Sequence, residues 1–224
     1  MISKNNSELA IVFRSETGLE KKIEWDKLYE KTCIFSSFLK KIGIKKGDRI
    51  AAYVPNTIET VITFLGTAKI GAIWSSCSPD FGIQGIVDRF LQIRPKILIS
   101  ADHYFYNGKK ISLLDKIPEI LKKIPSIKEV VIFNYGNEKT KNSYISLENI
   151  LKENQLDETF EEFPFDHPIY ILYSSGTTGY PKCIVHGAGN ALIEQMKELI
   201  LHCDVKEKDK LFYFTSTGWM MWNC

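Results

Sequence analysis

No stretch of the 224-residue sequence comes near the roughly 18 consecutive apolar residues that a membrane-crossing helix needs. The amino terminus, Met1 to Ala10, holds no apolar run that could act as a secretory signal. Charge of one sign is not in surplus either. The 29 basic and 27 acidic residues leave a formal charge of +2, which gives no case for a nucleic-acid or membrane-surface partner. Cysteine is sparse, at Cys33, Cys77, Cys183, Cys203 and Cys224, with an odd count and no Cys-x-x-Cys pair. That excludes a disulfide framework and a cysteine-based zinc site. The expectation is small buried thiols in a reducing compartment, which places the protein in the cytoplasm. His103, His167, His186 and His202 show no metal-ligand spacing, so no metal site is expected. Internal repeats and low-complexity segments are absent, and no Gly-x-Ser-x-Gly elbow marks a hydrolase serine.

Short strand-like runs and amphipathic helices are present, in alternation. Ala10–Phe13, Ile50–Val54, Ala72–Ser76, Ile97–Ile99 and Val130–Phe133 have strand length and composition. Between them, Leu28, Thr32, Phe35, Leu39 and Ile42 recur at helical spacing, with Gly43 placed to end the helix. Val61, Phe64, Leu65 and Ala68 give a second helical face. Ile83, Ile86, Val87, Phe90 and Leu91 give a third, stopped by Arg94-Pro95. This order predicts an α/β fold, mostly parallel sheets with flanking helices. Residues 153–166 are acidic and end in aromatic and proline punctuation, so a linker or a strand-poor connection is expected there. The predicted division is a first α/β subdomain over 1–160 and the start of a second over 161–224. The lysines are read as a solvated face.

The chemistry concentrates in one place. The apolar run Ile169–Tyr173 suits a buried strand, and Ser174-Ser175-Gly176-Thr177-Thr178-Gly179-Tyr180-Pro181-Lys182 follows directly. Four hydroxyl residues and two glycines fall within six positions, and a lysine closes the loop. Glycines let the backbone approach a ligand closely. Exposed N–H groups and hydroxyls can then surround phosphate oxygens. Lys182 adds a cation for a polyphosphate. The spacing is not that of the common P-loop. A generic Ser/Gly/Thr cluster is more often a loop without a ligand; the particular string is what argues for a phosphate grip.

The string Tyr173–Lys182 resembles the signature of the adenylate-forming superfamily of acyl-CoA synthetases, luciferases and peptide-synthetase adenylation domains. The resemblance implies that Ser174, Ser175, Gly176, Thr177, Thr178, Gly179 and Lys182 hold the β- and γ-phosphates of ATP. Cys183 stands where many members have glycine. Ala51–Asn56, Gly71–Gly82, Ala101–Tyr104 and Phe214–Asn223 are similar to the acetoacetyl-CoA synthetase branch. That branch implies ATP with Mg²⁺, CoA as co-substrate, and a short carboxylic acid activated through an acyl-adenylate. It also implies that Trp219 lines the pantetheine tunnel and Met220 the acyl pocket. Met221 replaces a threonine near CoA. Lys109 lies where relatives carry arginines for CoA, and is either a CoA-phosphate contact or a solvated loop lysine.

From composition alone, Trp219–Trp222 after an expected strand at Leu211–Phe214 would be core. By resemblance, the adenine contacts, the Mg²⁺-binding acid and the catalytic residues are expected downstream of Cys224. The chain is therefore expected to be part of a longer ligase. Two alternatives stay open: another short-chain acyl-CoA synthetase, and a non-catalytic nucleotide-binding remnant.

Overall fold

The computed structural model describes residues 7–136, 142–174 and 179–223. A hairpin of β1 (Leu9–Arg14) and β2 (Glu20–Glu24) leads into α1 (Trp25–Lys41), whose buried stripe includes Leu28, Thr32, Phe35 and Leu39 as the spacing predicts. Gly43 takes a positive φ just beyond the helix end.

The central sheet follows. β3 (Arg49–Tyr53), α2 (Ile58–Lys69), β4 (Ile73–Cys77), α3 (Ile83–Ile93) and β5 (Ile97–Ala101) alternate along the chain. β3 lies between β4 and β5 and pairs parallel with both. β8 (Glu129–Phe133) continues outward from β5, and the short β9 (Ile145–Ser146) pairs with β8. α4 (Ile117–Lys123) precedes β8, and α5 (Leu147–Glu153) follows β9. On the other side, β10 (Pro168–Ser174) pairs parallel with β4 through Tyr170 and Trp74. β11 (Lys182–Gly187) returns antiparallel to β10. Seven strands thus run in the order β11-β10-β4-β3-β5-β8-β9, all parallel except β11. Strands β3, β4 and β5 are buried almost throughout, as parallel strands covered on both faces must be. α6 (Ala188–Met196) continues as a π-helical turn over Lys197–His202, and α7 (Met220–Asn223) ends the described chain.

Four local expectations need correction. Lys109 does not lie in a loop but opens β7 (Lys109–Ser112), which pairs with β6 (His103–Tyr106) in a hairpin. Its Asn107-Gly108 corner has φ of 50° and 73°, the positive pair that a two-residue hairpin turn needs. Leu211–Phe214 is not a strand: it forms no ladder with any described segment, and all four side chains are exposed. The cysteines are not uniformly buried; Cys33 and Cys77 are, whereas Cys183 and Cys203 are exposed. The lysines are not uniformly solvated. Lys69 is buried on α2 and donates to the carbonyls of Asp157 and Thr159, and Lys40 pairs with Asp157. The acidic segment has no strand, as expected, and these lysines strap it across α1 and α2.

Candidate functional site

The parallel pairing decides where the candidate residues gather. β10 runs in the same direction as β3 and β4, so Ser174 emerges at the carboxyl edge of the sheet, where open α/β sheets bind ligands. The antiparallel return puts Lys182 directly opposite Ser174 in register. The two ends of the hydroxyl- and glycine-rich loop therefore sit side by side on that carboxyl edge. Ser175, Gly176, Thr177 and Thr178 lie outside the described residues. Gly179 has φ of 134° with open space around it, a backbone conformation that L side chains rarely adopt.

Both flanks of the loop are braced by neighbours that the sequence reading missed. Ser75 on β4 donates to the Ile171 carbonyl at 2.9 Å and lies 3.0 Å from the Tyr173 hydroxyl. Burial pushes the Tyr173 phenol well above its ordinary range, so it stays neutral. The Arg89 guanidinium of α3 lies over the Phe81 ring at 4.3 Å and 5.7 Å from the Tyr173 ring. One turn further, Gln92 donates to the Pro181 carbonyl at 2.9 Å, next to Lys182. A helix period of three to four residues puts Arg89 and Gln92 on one face of α3. That spacing was the available signal, but nothing in the sequence announced which loop the face would meet.

A second candidate group arrives at the same edge from the far end of the chain. Trp219, Met220 and Met221 are 68%, 55% and 42% exposed. They are a surface cluster, not the core that their composition suggests. Thr217 beside them is buried and hydrogen-bonded to the ends of β3 and β4. Trp222 packs edge-on against Phe64 of α2, and its indole N–H donates to Asn56. The Trp219–Met220 pair thus lies near the sheet edge that carries Ser174 and Lys182.

Lys109 is exposed on the β6–β7 hairpin. The Glu16 carboxylate accepts from the N–H groups of Asn107 and Gly108 and fixes the hairpin tip. No described residue pairs Lys109 with the loop-flanking groups. Among the histidines, His103 sits 2.9 Å from the buried Asp102 carboxylate and against the Tyr135 ring. His167 meets the Gly71 carbonyl, and His186 is held neutral by burial beside Tyr170. Among the described residues, no group of three His, Cys, Asp or Glu could hold a metal ion, and no helix is long and apolar enough to cross a membrane.

Comparison with known proteins shows what the chain is similar to. The family described as AMP-binding enzyme matches residues 3–222. An acetoacetyl-CoA synthetase of Gallus gallus is 42% identical over 98% of this chain and 35% of its own length. An acetoacetyl-coenzyme A synthetase of Rhizobium meliloti (strain 1021) is 43% identical over the whole of this chain and 35% of its own length. The solved acetoacetyl-CoA synthetase from Streptomyces lividans superimposes with a TM-score of 0.91 at 37% identity, covering 97% of this chain and 33% of that one. The chain spans about a third of the length of the relatives that it matches.

Proposed function

We propose, from the premise that this chain belongs to the AMP-binding enzyme family, that the whole protein is an acetoacetate–CoA ligase. Acetoacetate, ATP and CoA would give acetoacetyl-CoA, AMP and diphosphate. The observation that carries the reading is the Ser174–Lys182 register, which closes a hydroxyl-rich loop on the carboxyl edge of a parallel sheet. The likeness to acetoacetyl-CoA synthetases along nearly all of the chain supports the choice of acid.

In this reading Ser174, Ser175, Gly176, Thr177, Thr178, Gly179 and Lys182 grip the β- and γ-phosphates of Mg-ATP. A carboxylate oxygen attacks the α-phosphorus, the bond to the bridging oxygen breaks, and diphosphate leaves with that electron pair. Lys182 offsets the charge that grows on the leaving group. The CoA sulfur, giving up its proton, then attacks the acyl carbonyl carbon; the bond from that carbon to the phosphate oxygen breaks, AMP leaves with the electron pair, and the thioester forms. The protein's part is orientation and charge compensation, with no covalent enzyme intermediate. Trp219 and Met220 form the pantetheine and acyl end, and Lys109 is assigned to a CoA phosphate. Mg²⁺ enters with ATP as substrate. Residues 1–160 and 161–224 form two parts of one AMP-binding domain, working in the cytoplasm.

The test is Lys182→Ala in the full-length protein. Acetoacetate-dependent ATP–diphosphate exchange should fall on the order of 10²-fold. Lys182 opens a half-exposed edge strand, so thermal unfolding should barely move. Exchange at the wild-type rate overturns the assignment, and gross unfolding makes the lysine structural.

A further inference from the structure

We propose that Thr217 and Ser76 are positioning residues that set the acid selectivity of the enzyme. They do so by seating the Trp219–Met220 segment on the ends of two neighbouring strands. The proposal rests on the reading of Trp219 and Met220 as the acyl end of the site.

Residues 211–214 and 219–221 are exposed, yet Thr217 between them is only 1% accessible. Its hydroxyl donates to the Val54 carbonyl, just past β3, at 2.6 Å. Its own carbonyl accepts from the Ser76 hydroxyl on β4, also at 2.6 Å. The partners lie 163 and 141 residues away in sequence. One residue is therefore held from two sides by adjacent strands, which themselves pair in parallel register. A single bond would leave the segment free to pivot; two bonds to different strands fix both its position and its direction.

Neighbouring contacts make the seat narrow. A side chain at Gly218 would come within 2.8 Å of the Phe81 ring and 3.0 Å of the Ser78 backbone nitrogen. Phe81 cannot easily yield, because the Arg89 guanidinium lies over it. Beyond the exposed pair, the chain is caught again. The Trp222 indole donates to Asn56 at 2.9 Å, and Gln195 donates to the Asn223 carbonyl at 2.7 Å. Trp219 and Met220 are thus held out from a span anchored at both ends. Their own side chains stay uncovered, as ligand-facing groups require. A short aliphatic carboxylate meeting them would be read by where the span is seated, not only by which side chains it carries.

Thr217→Val keeps the volume, removes the donor and leaves the buried Val54 carbonyl unpaired. In the full-length enzyme, acid-dependent ATP–diphosphate exchange should be measured with acetate, acetoacetate and butyrate. For the preferred acid, Thr217→Val should raise KM about tenfold, the effect of one lost buried hydrogen bond. The ATP KM should stay within about twofold, because the phosphate loop is untouched. Ser76→Ala should act in the same direction, and Thr217→Ser should restore the wild-type KM for the preferred acid. Hydrogen exchange should show residues 216–223 losing protection in Thr217→Val while β3, β4 and β5 keep theirs. An unchanged acid profile overturns the proposal, as does a rise in both KM values together or a failure of Thr217→Ser to rescue. A wild-type enzyme that exchanges with none of the acids sinks the functional reading itself, an outcome distinct from an active enzyme whose selectivity ignores Thr217.

Discussion

The cysteines illustrate how much one side chain's surroundings decide. Cys77 ends β4 inside the sheet, and burial pushes its thiol up to about 12. Cys33 on the inner face of α1 is also raised by burial. A thiol reacts as the thiolate, so both should be inert at neutral pH as well as shielded. Cys183 and Cys203 are exposed. Alkylation with iodoacetamide at pH 7.5, mapped by mass spectrometry, should label exposed Cys203 readily in the native protein and Cys183 more slowly, because partial burial raises the Cys183 thiol and it donates to the Gln92 side chain. Cys33 and Cys77 should be labelled only after denaturation. Rapid native labelling of Cys77 would mean that the β4 end is open. Composition could not have separated these pairs. A thiol after Lys182 on an edge strand and one inside a parallel strand look alike until the sheet order is known.

At the scale of elements, the acidic segment between α5 and β10 is a strap. Phe160 stacks on Tyr29 of α1 and under the Lys69 ammonium of α2, which lies 4.7 Å from its ring. Phe163 stacks on His167 and packs where a side chain at Gly71 would sit, 2.6 Å away. Gly71 also has φ of 67°, so Gly71→Ala combines a left-handed penalty of roughly 1–2 kcal/mol with displacement of Phe163. Its denaturant midpoint should fall clearly, and an unchanged midpoint would mean that the strap is loose. Asp157 adds a pH dependence. Hydrogen bonds from the Thr159 hydroxyl and backbone N–H, and then from Lys40, hold its carboxyl well below the ordinary value. A depressed folded value stabilises above the unfolded pKa of about 3.9 and is lost as pH falls through the folded one. Asp157→Ala should therefore lower the melting temperature at pH 7 and cost progressively less below about pH 4. The pair is partly exposed, so the effect at pH 7 should be of order 1 kcal/mol or less. A constant penalty from pH 7 to pH 2.5 would remove charge from the explanation. The sequence showed the acidity of this segment but not its anchoring, because the lysines that hold it lie 88 to 117 residues away on faces that look like ordinary solvated helix.

Across the whole molecule, local patterns carried the sheet and long-range contacts carried the site. Buried parallel strands such as Ile97–Ala101 and helices with a single apolar stripe such as Ile83–Ile93 announce themselves by period, and the structure places them within a residue or two of their predicted bounds. The hydroxyl- and glycine-rich string was legible for its composition, and β10 and β11 bracket it as expected. The seat at Thr217 was not legible, since a lone threonine in a polar run carries no periodic signal. The same holds for the stretch from Leu211 to Phe214, whose apolar content suggested a strand. Burial is uneven as a result. The sheet from β3 to β8 is closed on both faces, while Leu201, Phe212 and Phe214 are 74%, 84% and 92% exposed. With Ile193, Ile200 and Tyr213 they give the later part of the chain more uncovered large apolar side chains than a soluble monomer ordinarily shows. The 224-residue polypeptide expressed by itself should therefore bind the dye ANS and scatter light increasingly with concentration. The double change Phe212→Ser, Phe214→Ser should reduce both signals. It should leave the thermal unfolding of the sheet within about 0.5 kcal/mol, because these rings contribute nothing to the core. A wild-type chain that stays monomeric and dye-free at high concentration would mean that these side chains are covered in solution.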